Sequence, residues 1–249
     1  MSNQWELERA YWWNRLKAVL PHTHPLQSDN STVPGANLVN QIQNPAKAQP
    51  DVYFATAYRH AVEFLSDLDR HGFDYRQFKR VLEFGVGSGR LLRQFIPLGW
   101  NLYGCDVTPD LVSFSQRVLN GYAQIQLTGS PPLPYENEFF DFVYAVSVFT
   151  HIQMAETPAW VEELRRIVRP GGALIITVFE VNRYSPIASA REYDQLEIGS
   201  GYLEWGSADV KERFIYMTPE KLLKTWSSFE VLELRPRFLD QTHMIMRRR

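Results

Sequence analysis

The stretch Val81-Leu-Glu-Phe-Gly-Val-Gly-Ser-Gly-Arg90 decides the fold of this chain. Its glycines alternate at Gly85, Gly87 and Gly89, directly after a short apolar run. This pattern predicts a strand, a tight turn and the start of a helix over 88–97, because glycine reaches left-handed backbone conformations and lets a ligand lie against the main chain. Such a helix start would offer free N–H groups and the positive end of a dipole to the ligand.

The spacing of these glycines narrows the kind of ligand. In the dinucleotide fingerprint G-x-G-x-x-G the third glycine would fall at position 90, which is occupied by Arg90. The pattern present is instead E-x-G-x-G-x-G, from Glu83 to Gly89. Asp106 ends the next predicted strand, and a carboxylate about 20 residues beyond the glycine turn can accept hydrogen bonds from both hydroxyls of a ribose.

Strands and helices alternate on both sides of the glycine motif. The predicted strands are 81–84, 101–105, 122–127, 140–147 and 172–179, and the predicted helices between them are 88–97, 110–119 and 155–168. Strands that alternate with helices form a parallel sheet covered on both faces, so the sequence predicts an α/β fold. Thr218 is the predicted N-cap of a later helix. The last strands, 229–234 and 241–247, predict an antiparallel hairpin at the sheet edge.

The N-terminal part follows a different pattern. Residues 4–20 predict a tryptophan-rich helix that packs on its own domain or on a second copy, and residues 21–50 contain five prolines and predict an irregular connector. We therefore expect residues 1–50 to form a helix and connector. Residues 51–249 are expected to form one domain, which begins with a helix at 51–71 and carries an insert at 180–217.

Composition limits the possible partners. The 249 residues are 45% hydrophobic and 22% charged, with a net charge of −2, as in an ordinary globular protein with no general attraction to nucleic acid or an anionic membrane. The single cysteine, Cys105, cannot form an internal disulfide and predicts a reducing, cytoplasmic compartment. No apolar run is long enough to span a bilayer, and no secretory signal is recognised. A monomer and a homodimer both remain open.

Several motifs in this order resemble the class I S-adenosylmethionine-dependent methyltransferases, of the bacterial small-molecule type. Besides the glycine motif they are Gly104-Cys-Asp-Val-Thr-Pro-Asp110, Leu133-Pro-Tyr135, Phe140-Asp-Phe-Val-Tyr144, Ser147-Val-Phe-Thr-His151 and Glu163-Leu-Arg-Arg-Ile-Val-Arg-Pro-Gly-Gly172. The resemblance covers about residues 50–249. It implies a Rossmann-like sheet of seven strands in the order 3-2-1-4-5-7-6 with strand 7 antiparallel, helices on both faces, and S-adenosyl-L-methionine as cofactor.

The resemblance also implies roles for residues of the cofactor site. The glycine turn would hold the aminocarboxylate part of the cofactor, and Glu83 would face its ammonium group or else cap the turn. Asp106 would bind the ribose, and Val107 would flank the adenine or serve as a core residue. Relatives carry an acidic residue for the adenine amino group where this chain has Gly129, so Ser130 or backbone groups are expected to substitute.

Other residues are candidates for the acceptor side. His151 follows strand four and is the candidate general base, since its ordinary pKa of about 6.5 suits proton transfer near neutrality; its alternative role is to shape the start of a helix. Ser147 is expected to touch cofactor or acceptor. Aromatic side chains of the 180–217 insert are candidate substrate contacts, namely Tyr184, Tyr202 and Trp205.

The expected acceptor is a small molecule or a sugar, with methylation at oxygen. Strand four continues as Ala145-Val-Ser-Val and lacks the Asn-Pro-Pro-Tyr-like motif of amino-group methylators. Neither an acidic cluster nor a histidine cluster predicts a metal. Two other classes stay open: a nicotinamide-dependent oxidoreductase on a similar sheet, and a protein of the same fold that binds the cofactor without catalysis.

Overall fold

The computed structural model describes residues 2–39, 48–181, 201–205, 213–236 and 241–249. Within them the strands are β1 (Arg80–Phe84), β2 (Asn101–Asp106), β3 (Ala123–Leu127), β4 (Phe140–Ala145), β5 (Val168–Glu180), β6 (Tyr202–Trp205), β7 (Phe214–Met217), β8 (Phe229–Arg235) and β9 (Thr242–Arg248). The α-helices are α1 (Ser2–Val19), α2 (Ala36–Val39), α3 (Pro50–Arg70), α4 (Pro109–Val118), α5 (Thr157–Ile167) and α6 (Pro219–Thr225). The chain divides into two compact units, Met1–Gly129 and Ser130–Arg249.

The strand order confirms the predicted fold class. The strands follow the order β3-β2-β1-β4-β5, and β9 then pairs antiparallel with β5 while β8 pairs antiparallel with β9. With β8 and β9 as the sixth and seventh strands, this is the order 3-2-1-4-5-7-6 with an antiparallel strand 7. The two strands β7 and β6 are an addition to the predicted seven, and they continue from the end of β5.

In the first unit, parallel strands β1, β2 and β3 pair in register. Helix α3 buries one face, including Phe54, Tyr58 and Leu65, at the spacing that the sequence predicted for a helix. Helix α1 packs on α3, and the ring centroids of Trp13 and Tyr58 are 4.9 Å apart. The tryptophan-rich helix therefore contacts its own unit.

The predicted α-helix over 88–97 is wrong. The chain forms turns after Gly89 and then a 3-10 helix over Leu92–Leu98. One feature that disfavours the α-helix is Pro97, which lies inside the segment and has no N–H to donate. The Gly89 carbonyl accepts from both the Arg93 backbone N–H at 3.3 Å and the Arg93 side chain at 3.0 Å. The expected α-helical dipole is therefore not available at the glycine turn.

The second unit contains a short strand pair that the sequence did not predict. β6 and β7 are antiparallel, and Phe179 of β5 pairs with Tyr216 of β7. Val181 and Tyr216 form a small apolar cluster there, with Phe179, Leu203 and Phe214 packed against it. Strands of four residues are too short to show a clear alternation, which is why residues 202–205 and 214–217 escaped prediction.

The predicted N-cap at Thr218 is confirmed. Thr218 caps α6 by accepting a hydrogen bond from the Lys221 N–H at 3.3 Å, with Pro219 at the first helical position. Among the described residues, no helix has the length and apolar character needed to cross a membrane. The domain boundary near residue 50 stays a prediction.

Candidate active site

The glycine turn has the left-handed conformation that its sequence predicted. The φ angles of Gly85, Gly87 and Gly89 are +81°, +51° and +69°, values that side chains with a Cβ disfavour. The backbone N–H groups of Gly85 and Val86 both donate to the Cys105 carbonyl at 2.9 Å. The turn that follows β1 is therefore tied to the end of β2.

Asp106 connects the same two strand ends through its side chain. One carboxylate oxygen accepts from the Gly87 N–H at 2.9 Å, and the other accepts from the Thr108 N–H at 2.9 Å. Asp106 therefore caps the glycine turn, a role that the sequence had suggested for Glu83. Because a carboxylate oxygen has two lone pairs, each oxygen retains one acceptor position. The predicted contact with a ribose stays a prediction.

The other predicted cofactor residues differ in exposure. Glu83 is 4% exposed within β1, whereas Val107 is 61% exposed directly after β2. An exposed apolar side chain beside Asp106 is a suitable surface for a flat base. Gly129 is exposed, and a Cβ built on it would meet no atom within 4 Å. Ser130, the first residue of the second unit, is also exposed.

Cys105 lies in the core and is unsuited to nucleophilic chemistry. Its side chain is fully buried, and burial raises the pKa of the thiol to about 12. The thiolate needed for nucleophilic attack is therefore scarce near neutral pH. This agrees with the interpretation of Cys105 as a small apolar residue.

Ser147 belongs to a polar cluster of the second unit that sequence reasoning only partly found. It has a φ of +58°, which is uncommon for a residue with a side chain. Its N–H donates to the Thr177 hydroxyl at 2.7 Å, and its own hydroxyl accepts from the Gln241 amide at 2.8 Å. Thr177 also hydrogen-bonds Gln241. Thr177 and Gln241 were not predicted, since they lie 30 and 94 residues from Ser147.

His151 is half-buried, and one of its two ring nitrogens is engaged in a hydrogen bond. Nδ1 lies 2.5 Å from the carbonyl oxygen of Arg213. Since a carbonyl can only accept, Nδ1 carries the proton and Nε2 presents its lone pair. Nε2 makes no hydrogen bond to the described part of the chain. The tautomer of His151 is thus set by a backbone contact.

The surroundings of His151 keep it neutral. Burial lowers the pKa of the imidazole, the hydrogen bond to the Arg213 carbonyl acts in the opposite direction, and the Arg213 charge lowers the pKa further. The Phe214 ring lies 5.6 Å from the imidazole centroid. A pKa below the ordinary value leaves the lone pair of Nε2 available at neutral pH.

An ion pair fixes the backbone that contacts His151. The Arg213 guanidinium, whose side chain is 7% exposed, lies 3.5 Å from a carboxylate oxygen of Glu204 in β6. The other Glu204 oxygen accepts from the Met154 N–H at 3.4 Å. The loop after β4 and the added β6–β7 pair are thereby joined at Arg213. Neither Glu204 nor Arg213 was singled out from the sequence.

Two of the three predicted substrate residues lie in β6. Tyr202 lies at the start of β6, and the Lys221 ammonium is 5.0 Å from the centroid of its ring. Trp205 ends β6 and pairs in register with Phe214, the neighbour of His151. Tyr184 lies outside the described residues.

Comparisons with known proteins agree with this geometry. A family model described as a methyltransferase domain matches residues 82–176. An uncharacterized methyltransferase of Anoxybacillus flavithermus is 28% identical over 117 residues, 46% of this chain and 54% of that protein. A tRNA (carboxymethyluridine(34)-5-O)-methyltransferase of Arabidopsis thaliana is 29% identical over 104 residues, 40% of this chain and 24% of that protein. The chain thus spans about half the length of the first of these relatives and less of the second.

Solved structures show the same fold. An S-adenosylmethionine-dependent methyltransferase of Methanosarcina mazei has a TM-score of 0.58 at 18% identity, covering 72% of this chain and 96% of that one. The 1,6-didemethyltoxoflavin-N1-methyltransferase of Burkholderia thailandensis has a TM-score of 0.57 at 18% identity, covering 77% and 78%. Together with the strand order, these likenesses show that the chain has the class I S-adenosylmethionine-dependent methyltransferase fold, and residues 82–176 match a methyltransferase domain.

Proposed function

We propose that this protein transfers the methyl group of S-adenosylmethionine to a hydroxyl oxygen of a small molecule or a sugar, with His151 as general base. The observation that carries the proposal is the hydrogen bond between His151 Nδ1 and the Arg213 carbonyl, which leaves Nε2 as an acceptor. The lowered pKa of the imidazole favours its neutral form. A hydroxyl must lose its proton as it is methylated, and a neutral imidazole is suited to receive it.

The first unit supplies the groups that fit the cofactor. The open glycine turn suits the aminocarboxylate part, the remaining lone pairs of Asp106 suit the ribose hydroxyls, and Val107 suits one face of the adenine. Where relatives carry an acid for the adenine amino group, Gly129 leaves open space. Ser130 or backbone groups are proposed to take that contact.

For this reaction the protein has to align the acceptor with the methyl group and remove the proton of the acceptor hydroxyl. The bound cofactor supplies an activated methyl group on a sulfonium, a good leaving group. Aligning acceptor and methyl group can contribute on the order of 7–11 kcal/mol in well-oriented reactions. His151 Nε2 takes the hydroxyl proton while the acceptor oxygen forms its bond to the methyl carbon. The bound cofactor would supply the methyl group, with its sulfur as the leaving group that keeps the electron pair of the carbon–sulfur bond.

The acceptor is proposed to contact the second unit near the β6–β7 pair. Tyr202 and the backbone of Trp205 belong to that pair, and Tyr184 belongs to the same insert. Ser147, with its strained backbone and its bonds to Thr177 and Gln241, is a rigid group at the loop after β4. Ser147 is proposed to contact the cofactor or the acceptor, and a ligand-bound structure distinguishes the two.

The partners and compartment are proposed from composition. A net charge of −2 supports a small-molecule acceptor rather than nucleic acid or an anionic membrane. The single, buried Cys105 supports a reducing, cytoplasmic compartment. Both a monomer and a homodimer are compatible with these features.

The test is methyl transfer to compounds of a cell extract incubated with labelled S-adenosylmethionine, followed by mass spectrometry of the labelled product. We expect an O-methylated small molecule. His151→Ala should slow turnover at least about 100-fold, since a general base contributes about 10²–10⁴-fold, with unchanged affinity for S-adenosylhomocysteine. The exposed His22→Ala is the matched control and should behave as the unmodified protein.

Four outcomes separate the alternatives. A labelled nitrogen would contradict the oxygen acceptor, and binding of S-adenosylhomocysteine without any labelled product would favour a non-catalytic protein. Tight binding of NADH in place of S-adenosylhomocysteine would favour an oxidoreductase. Equal loss of turnover and cofactor affinity in His151→Ala would mean a structural role for His151.

A further inference from the structure

Arg93 is a fully buried arginine directly after the glycine turn, with 0% of its side chain exposed. Its guanidinium donates to the carbonyl oxygens of Gly89 at 3.0 Å and Ser88 at 3.2 Å. It also donates to the hydroxyls of Tyr53 at 3.0 Å and Thr32 at 2.5 Å. All four acceptors are neutral oxygens.

No carboxylate in the described part of the chain forms an ion pair with Arg93. The acid whose pKa responds to its charge is Asp29, whose pKa is lowered first by hydrogen bonds with Ser31 and only last by Arg93. Taking a charged group out of water costs several kcal/mol unless an opposite charge offsets it. Hydrogen bonds to neutral oxygens occupy four of the five N–H donors of Arg93. They leave its charge without an ion-paired carboxylate among the described residues.

The hydrogen bonds of Arg93 join three parts of the first unit. Ser88 and Gly89 belong to the glycine turn, Tyr53 belongs to α3, and Thr32 ends a short 3-10 segment of the predicted connector. The Tyr53 hydroxyl also lies 3.1 Å from the Ser88 hydroxyl. Movement of any one part would therefore disturb the carbonyls of the turn.

The connector segment around residues 24–32 is itself firmly held. Gln27 is fully buried, its amide donates to the Gln94 carbonyl at 2.9 Å, and its own carbonyl accepts from the Tyr58 hydroxyl at 2.9 Å. Arg9 of α1 donates to the Ser28 carbonyl at 3.2 Å and to the Asn30 side chain at 2.9 Å. Thr32 is thus presented to Arg93 by an ordered segment.

We propose that Arg93 is a positioning residue for the methionine part of S-adenosylmethionine: it holds the carbonyl side of the glycine turn, and its unbalanced charge is complemented by the cofactor's carboxylate. The inference rests on the proposed cofactor site. A carboxylate bound at the turn would supply the negative charge that no described residue places in an ion pair with Arg93. Arg93, with no direct contact needed, would act through the field of its charge and through Ser88 and Gly89.

The test compares two ligands by calorimetry: S-adenosylhomocysteine, and 5′-methylthioadenosine, which lacks the aminocarboxylate part. Arg93→Met removes the charge at similar length, and Arg93→Lys retains it. Arg76→Met, whose side chain is 64% exposed, is the matched control. In Arg93→Met we expect S-adenosylhomocysteine to bind about tenfold or more weakly, since the attraction between the Arg93 charge and the bound carboxylate is lost. The affinity for 5′-methylthioadenosine should change less than about threefold, and Arg93→Lys should recover part of the loss.

Equal losses for the two ligands in Arg93→Met, or no loss for either, would overturn the inference, because a purely structural role does not discriminate between them. If Arg93→Met does not fold, the test uses Arg93→Lys, Thr32→Val and Tyr53→Phe. Each of these variants keeps a positive charge at position 93 and weakens the hydrogen bonds that hold it. Each should weaken S-adenosylhomocysteine more than 5′-methylthioadenosine, and parallel changes in all three would also overturn it. Failure of the unmodified protein to bind S-adenosylhomocysteine would instead overturn the proposed function.

Discussion

The proposed cofactor site depends on one carboxylate, Asp106, and on its spacing from the glycine turn. Asp106 was placed correctly from the sequence because the strand end and the glycine turn are both local signals, about 20 residues apart. Its bond to the Gly87 N–H is a tertiary contact, and no local pattern indicates it. The same limit applies to Arg213, which reaches His151 from 62 residues away.

The Asp106 assignment leads to a first prediction. Asp106→Asn should weaken the binding of S-adenosylhomocysteine by about 1–3 kcal/mol, because a charge-assisted acceptor for the ribose is lost. Asp110→Asn, at an exposed carboxylate in the first turn of α4, is the control. Calorimetry that shows equal affinity for both variants and the unmodified protein would refute the ribose contact.

Gly129 leads to a prediction in the opposite direction. Its Cβ position is open, so an aspartate can be introduced without a clash. Gly129→Asp should tighten S-adenosylhomocysteine binding by about 1 kcal/mol, as a hydrogen bond from the adenine amino group to a charged oxygen is gained. Gly129→Asn offers a neutral acceptor and should gain less. A loss of affinity in both variants would show that the adenine lies elsewhere.

The environment of His151 predicts the pH dependence of turnover. Burial lowers its pKa below the ordinary 6.5, so the reactive neutral form persists into mildly acidic solution. Turnover should be level near pH 7 and fall only below pH 6.5, through the lowered pKa. Stability should follow the same direction: below pH 6.5 the unfolded chain binds more protons at this group, so the contribution to the unfolding free energy is lost as pH falls. A turnover limb centred above pH 6.5 would contradict this assignment.

At the scale of elements, helices and strands with a longer regular spacing of apolar residues were predicted more accurately. β1, β2 and α3 carry several apolar residues at a regular spacing, and their predicted bounds lie within one residue of those observed. The four-residue strands β6 and β7 carry too few. The apolar spacing over Leu92–Leu98 does not distinguish a 3-10 helix from an α-helix, and Pro97 in this segment has no N–H to donate.

The unpredicted β6–β7 pair carries the element-scale prediction. Glu204→Gln removes the charge that holds Arg213, whose carbonyl fixes the tautomer of His151. Turnover should fall about tenfold, because the base loses orientation, while the affinity for S-adenosylhomocysteine should stay unchanged. Glu230→Gln, at an exposed ion pair with Arg247, is the matched control. If kinetics show both variants with full turnover, the ion pair does not position the base.

At the scale of the whole molecule, composition gave expectations about partners, whereas the motifs gave the resemblance to a family. A net charge of −2 and an ordinary apolar content say nothing about a methyl acceptor. The strand order was implied by the resemblance to the class I methyltransferases that these motifs carry, and the structure confirms it. The acceptor was not predictable, since the insert at 180–217 has no motif of fixed spacing.

Ligand-linked stability tests the function class on the intact protein. A ligand that binds only the folded chain raises the unfolding free energy by about 2.7 kcal/mol at 100 times its dissociation constant. We therefore expect S-adenosylhomocysteine to raise the melting temperature and NADH to leave it unchanged. Asp106→Asn should need a higher concentration of S-adenosylhomocysteine for the same shift, which ties the effect to the glycine turn. A shift with NADH that Asp106→Asn abolishes would place a dinucleotide at this turn and reverse the choice between the two enzyme classes.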